Sequence, residues 1–146
     1  MIYYLVGQPH AGKTTLSKLL KDYLHHVIQI DGDDIRDIFQ NKDYSEEGRR
    51  KNIQRAQDIA MFLNVKGFNV IISLVSPYKD LRDELKEKSE VVEIYIHTTD
   101  IRGRENFHVE NYEKPTENYI DIDTTGISEF DSIGELIDKI DEHISK

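Results

Sequence analysis

The sequence contains no cysteine, which excludes disulfide staples, thiolate zinc sites and cysteine nucleophiles together. It also lacks a basic surplus. A formal net charge of −9 over 146 residues argues against a general nucleic-acid-binding surface, because polyanion binders neutralise phosphates with a basic field. A small anionic ligand needs only a local basic pocket and stays open. No apolar run approaches the roughly 20 residues needed to span a bilayer. The Ile2–Val6 run is too short for a secretion signal and has no basic lead-in. The expectation is a cytoplasmic protein with no membrane or nucleic-acid partner. Low-complexity tracts, internal repeats and linkers are absent too. With 38% apolar residues, the chain is expected to form a single domain over 1–146 around one core.

What is present is an alternation of short apolar runs and helical stripes. Ile2-Tyr3-Tyr4-Leu5-Val6, closed by Gly7, reads as a strand buried on both faces. From Lys13 the spacing of Leu16, Leu19, Leu20, Tyr23 and Leu24 is helical. Val27–Ile30 predicts a second strand ending at Asp31-Gly32-Asp33, and a short helix follows over 34–39. Ser45-Glu46-Glu47 supplies an N-cap and an acidic first turn for a helix carrying Ile53, Ala56, Ile59, Ala60 and Leu63. Further strands are predicted at 69–75, 91–96 and 119–123, with helices at 79–89 and from Phe130 onward. Residues 98–118 show no period and read as a functional loop. Repeated βα units imply an α/β fold: a five-stranded parallel sheet flanked by helices on both faces. Segments 7–14, 31–36, 73–78 and 98–118 all follow strands, so they are expected at one edge, where such sheets bind ligands.

Gly7-Gln8-Pro9-His10-Ala11-Gly12-Lys13-Thr14 has the Walker A spacing between a buried strand and an amphipathic helix. Glycines let backbone N–H groups curl around phosphates, and the helix N-terminus adds a favourable dipole. Residues 7–15, through Thr15, are therefore the candidate ATP phosphate cradle. Lys13 is placed to reach the β- and γ-phosphates, and the Thr14 hydroxyl to ligate Mg²⁺. His10 stands where a small residue is ordinary. Both a phosphate donor and a solvent-facing side chain are open for it.

The third strand ends without an acid, so the carboxylate such a site needs must come from elsewhere. Asp31-Gly32-Asp33 supplies it. Asp33 is the candidate base or metal-side acid, while capping of the next helix by Asp33 or Asp34 is compatible with that role. Basic charge is concentrated in residues 49–55, with four cations and no acid, whereas 117–143 hold nine acids and one lysine. Arg49 and Asn52 share a helix face with Ala56. With Arg36 they suit an acceptor that is itself an anion.

Taken together, these residues resemble the adenylylsulfate (APS) kinase family of P-loop kinases, which phosphorylate the ribose 3′-hydroxyl of APS. The family's DGDxxR appears as Asp31-Gly32-Asp33-Asp34-Ile35-Arg36. Tyr44-Ser45 with Arg49…Asn52-Ile53…Arg55 matches its FS…R..NI.R, although Tyr44 adds a hydroxyl to the family's Phe. Ser73…Ser76-Pro77-Tyr78 with Arg82, Asn106-Phe107 with Tyr112-Glu113-Lys114-Pro115, and Asp123-Thr124 complete the match. The resemblance implies that ATP is the phosphoryl donor and Mg²⁺ the metal, held through Thr14 and Asp33. It implies an acceptor held by Asp31, Arg36, Arg49 and Asn52, stacked between Tyr44 and Phe107, and walled by Ser76-Pro77-Tyr78. A homodimer is also a family expectation.

Two departures stand out. The family's loop GLSGSGKST is here GQPHAGKTT, and its Lys/Arg-rich lid is reduced to His97–Glu105, with Arg102 and Arg104 as the remaining cations. The short lid leaves open another nucleotide-linked or small hydroxyl acceptor, or a nucleotide-binding regulator without turnover.

Overall fold

A computed structural model describes residues 1–9, 11–99 and 109–145. Its chain order is β1 (Ile2–Val6), α1 (Lys13–Tyr23), β2 (Val27–Asp31), α2 (Gly32–Phe39), α3 (Glu46–Val65), β3 (Asn69–Leu74), α4 (Lys79–Lys88), β4 (Val91–His97), β5 (Tyr119–Asp123) and α5 (Glu129–Ile144). The five strands form one sheet in the order β2-β3-β1-β4-β5, with all pairs parallel. The α/β fold expected from the alternation of runs is the fold observed. Element ends differ from the sequence reading by one or two residues; the difference that matters is α2, which begins at Gly32 and so takes Asp33 out of the strand end.

Alternation along β1 divides the interior in two. Ile2, Tyr4 and Val6 face α3 and α4, where they join Ile53, Ala56, Ala60, Leu81 and Leu85. Tyr3 and Leu5 face α1 and α5, with Leu16, Leu20, Leu136 and Ile140. A central parallel strand needs apolar residues at every position for this reason. The register places Val6 opposite Leu74 and Tyr95, Asp31 opposite Ser73, and His97 opposite Asp123. All five strands therefore end along one edge, and the loops that follow them gather there.

Helix starts follow local chemistry. The Ser45 hydroxyl accepts from Gly48 N, capping α3, and Ser128 caps α5 through Asp131 N. The α2 cap is Asp31, whose carboxylate accepts from Asp34 N at 2.9 Å. None of the described helices is long and apolar enough to cross a membrane.

Candidate active site

The loop after β1 passes so close to β4 that a side chain is impossible at its first residue. A Cβ on Gly7 would lie 2.1 Å from the Ile96 carbonyl oxygen, and its φ of +151° is in glycine territory. At the other end, Gly12 forms the N-cap of α1 and offers no side-chain acceptor. The first N–H groups of that helix thus lack a side-chain cap, and a helix N-terminus so arranged suits an anion.

Lys13 is only 8% exposed. Its Nζ donates to Gly7 O at 2.9 Å and Gln8 O at 2.7 Å, so the ammonium closes the loop on itself. Burial lowers its pKa to about 8, because desolvation disfavours the charged form. Thr14 is exposed at the helix start, and its hydroxyl has no hydrogen-bond partner among the described residues. The loop is braced from β5 by Thr124, whose Oγ1 donates to Ala11 O at 3.0 Å. Pro9 and Thr15 lie half-buried beside it. His10 lies outside the described residues.

Beyond β2 the acidic segment has two roles on adjacent residues. Asp31 is used as the cap of α2, whereas Asp33 is exposed on the first turn with no partner among the described residues. The Asp31 carboxylate raises the pKa of Asp34, with a smaller contribution from burial. Asp33 also lines an open cavity of about 890 Å³ with Arg36, Asp37, Gln40, Asn41, Lys42 and Tyr44.

Arg36 is engaged in building that cavity. Its Nη1 donates to Asn41 O and Asp43 O, both at 3.1 Å, and its guanidinium lies 4.1 Å from the centre of the Tyr44 ring. Tyr44 is 64% exposed, with one face covered by Arg36. On α3, Arg49 is half-buried, and its side chain makes no ion pair or hydrogen bond among the described residues. One helical turn further, Asn52 is 6% exposed. Its Nδ2 donates to Gly32 O at 3.3 Å, but its Oδ1 is buried with no partner among the described residues. An orphaned buried acceptor is costly unless something donates to it.

The turn after β3 is held from beneath. Ser76 has φ +43° and is 1% exposed, and its Oγ is hydrogen-bonded to Tyr4 OH at 2.7 Å; Gln57 Nε2 also donates to Tyr4 OH. The Ser76 hydroxyl is therefore committed to the interior. Pro77 is buried, and Tyr78 packs under the Arg50 guanidinium at 4.3 Å. Arg82, fully buried, donates to Ser76 O, to Glu113 O and to Glu93 Oε2, the last at 2.7 Å. Lys86 pairs with the other oxygen of Glu93 at 2.9 Å.

A model of the adenylylsulphate kinase family matches residues 1–132. The chain belongs to that family. An adenylyl-sulfate kinase of Burkholderia ambifaria is 35% identical over 92 residues, 60% of this chain and 51% of that protein. The chain thus spans about half the length of this curated adenylyl-sulfate kinase. The cytidine diphosphoramidate kinase of Campylobacter jejuni is 29% identical over 131 residues, 84% of this chain and 77% of that one. Among solved structures, that of APE1195 aligns with a TM-score of 0.82 at 26% identity, covering 97% of this chain and 95% of the other.

For a member of the adenylylsulphate kinase family, the fold brings Lys13, Thr14, Asp31, Asp33, Arg36, Asn52 and the Ser76–Tyr78 turn to the strand-end edge of one sheet. Tyr44 and Arg49 flank the same edge from the α2–α3 connection and the start of α3. Phe107, with Arg102, Arg104 and Asn106, lies outside the described residues. Sequence reasoning missed the supports: Gln8 as more than a loop residue, the Arg82–Glu93 pair, Tyr112 and Thr124. The family motifs contain Arg82, Tyr112 and Thr124, but their spacing does not say which distant groups they reach.

Proposed function

We propose that the chain is an ATP-dependent kinase that transfers the γ-phosphoryl group to a hydroxyl of an anionic, nucleotide-like acceptor. Adenylyl sulfate, phosphorylated at its ribose 3′-hydroxyl to give PAPS and ADP, is the leading acceptor. The observation that carries this reading is a set of polar groups left without partners on the elements that follow β2. Among the described residues, Asn52 Oδ1 is buried and unpartnered, the side chain of half-buried Arg49 has no acid, and Asp33 is an unpaired carboxylate. An acceptor hydroxyl and an acceptor anion are the complements of those groups.

The acceptor O–H gives its proton to Asp33 as its oxygen bonds to the γ-phosphorus. The bond from that phosphorus to the β-phosphate oxygen breaks, and ADP leaves. Lys13 stabilises charge on the transferring group, drawn from Gly7 O and Gln8 O to the phosphates. The backbone N–H groups at the start of α1 hold the phosphates from the other side. Thr14, whose hydroxyl has no partner among the described residues, and Asp33 are the residues that would hold Mg²⁺, which would neutralise charge on the phosphates. No group of three or more His, Cys, Asp or Glu that could hold a metal ion is found among the described residues.

A second acceptor is favoured by one observation. The cytidine diphosphoramidate kinase aligns over most of both chains, whereas the adenylyl-sulfate kinase aligns over about half its own length. ADP release should therefore be measured with adenylyl sulfate and with cytidine diphosphoramidate, each with ATP and Mg²⁺. Turnover on adenylyl sulfate supports the first reading; turnover on the cytidine nucleotide alone replaces it with the second. ATP binding without turnover on any nucleotide or polyol acceptor overturns both in favour of a regulator.

A further inference from the structure

The phosphate loop and the far wall of the site are joined by a short strap, residues 109–113. The Gln8 side chain grips its first residue at both polar atoms. Gln8 Nε2 donates to Val109 O at 2.8 Å, and Val109 N donates to Gln8 Oε1 at 2.7 Å. One side chain thus reproduces the two-point pairing that a neighbouring strand makes. The strap's other end is pinned to the turn after β3. Tyr112 OH donates to Val75 O, Glu113 N donates to Pro77 O at 3.1 Å, and Glu113 Oε1 accepts from Lys79 N at 2.9 Å. Arg82 Nη2 donates to Glu113 O while its Nη1 holds Ser76 O. Burial pushes the Tyr112 phenol far above its ordinary value, so it stays a donor.

We propose that Gln8 is a positioning residue that ties the phosphate loop to the acceptor wall through this strap. Its backbone and side chain face the two halves of the site. The Gln8 carbonyl accepts from Lys13 Nζ at 2.7 Å and from Ala11 N at 3.3 Å, so it follows the ammonium that contacts phosphate. The Gln8 amide sets where Val109 lies, and Val109 leads within four residues to the contacts on Val75 and Pro77, and through Arg82 to Ser76 O. A leucine at this place would have neither the donor nor the acceptor for the grip.

Gln8→Met keeps the size of the side chain and removes both hydrogen bonds. Amide hydrogen exchange should then speed up at Val109 and Glu113 by about tenfold, the equivalent of one net hydrogen bond, with β1 and β3 unchanged. In Gln8→Glu a protonated carboxyl offers one O–H donor and one carbonyl acceptor in the amide's place. Its protection relative to wild type at the same pH should fall as pH rises through the carboxyl titration, near about 4.3. In kinetics, the acceptor KM should rise about tenfold more than the ATP KM. Unchanged exchange at Val109 and Glu113, or an equal loss across the whole sheet, overturns the proposal. So does a rise in both KM values together. The kinetic arm rests on the proposed kinase activity, whereas the exchange arm does not. An enzyme silent on every acceptor would sink that activity and leave exchange to decide the strap.

Discussion

Lys13 is charged, buried and, among the described residues, hydrogen-bonded through Nζ only to carbonyls, and that combination has a measurable cost to folding. An ordinary lysine titrates near 10.5 and Lys13 at about 8, so its ammonium form is disfavoured by the fold. The folded-state pKa is depressed, and between pH 8 and 10.5 the unfolded chain binds more protons at this site. Stability therefore rises with pH across that window. At about 1.4 kcal/mol per pH unit, the gain from pH 7 to pH 10 is roughly 2.5 kcal/mol. Replacing Lys13 by Met removes this titration. Urea unfolding of wild type and Lys13→Met at both pH values isolates it, because the other titrating groups cancel in the difference. Wild type should gain about 2.5 kcal/mol on the variant between pH 7 and pH 10. Nucleotide binding carries the opposite sign, since phosphates favour the charged form. The affinity for a non-hydrolysable ATP analogue should hold up to pH 8 and fall about tenfold per unit above it. A stability difference that stays flat with pH would refute the burial of a charged Lys13.

Three other substitutions follow from the same geometry. Asn52→Ala removes the orphaned Oδ1 and one long hydrogen bond; the fold should lose about 1 kcal/mol or less while the acceptor KM rises tenfold or more, and an unchanged KM would show that Oδ1 faces no acceptor. Gly48→Ala builds a Cβ 2.2 Å from Asp43 O, so the loop carrying Tyr44 must move. About 1–3 kcal/mol of stability and part of the acceptor affinity should go with it, as read by urea unfolding and acceptor KM. Glu93→Gln leaves buried Arg82 without its carboxylate and should cost about 3 kcal/mol in urea unfolding, with faster amide exchange at Glu113. A loss under 1 kcal/mol would mean that the Arg82 bonds to Ser76 O and Glu113 O suffice.

Local pattern made much of the molecule legible. Strands buried on both faces read as continuous apolar runs, as in Ile2–Val6, and amphipathic helices as stripes, as in α5. Ser45 marked the start of α3 because a cap acts on its own turn. Where a residue's partner is distant in sequence, no period records it. Arg36 illustrates this: read as an acceptor ligand, it is also the brace of the loop bearing Tyr44. Asp31, read beside Asp33 as one acidic pair, is separated from it by the start of α2, which takes Asp31 as its cap.

The sequence by itself determined the order of strands and helices and the phosphate loop, because each rests on spacing within a few turns of chain, while its scattered motifs carry the resemblance to a kinase family. Only the tertiary structure decided which polar groups are used up and which are left for a ligand. Ser76 and Arg82 are committed to the interior, while Asn52 Oδ1, Arg49 and Asp33 are without partners among the described residues. The grip of Gln8 on Val109 belongs to the same class. Hydrogen bonds across the sheet edge depend on where the chain returns, and that is set by the packing of the whole sheet.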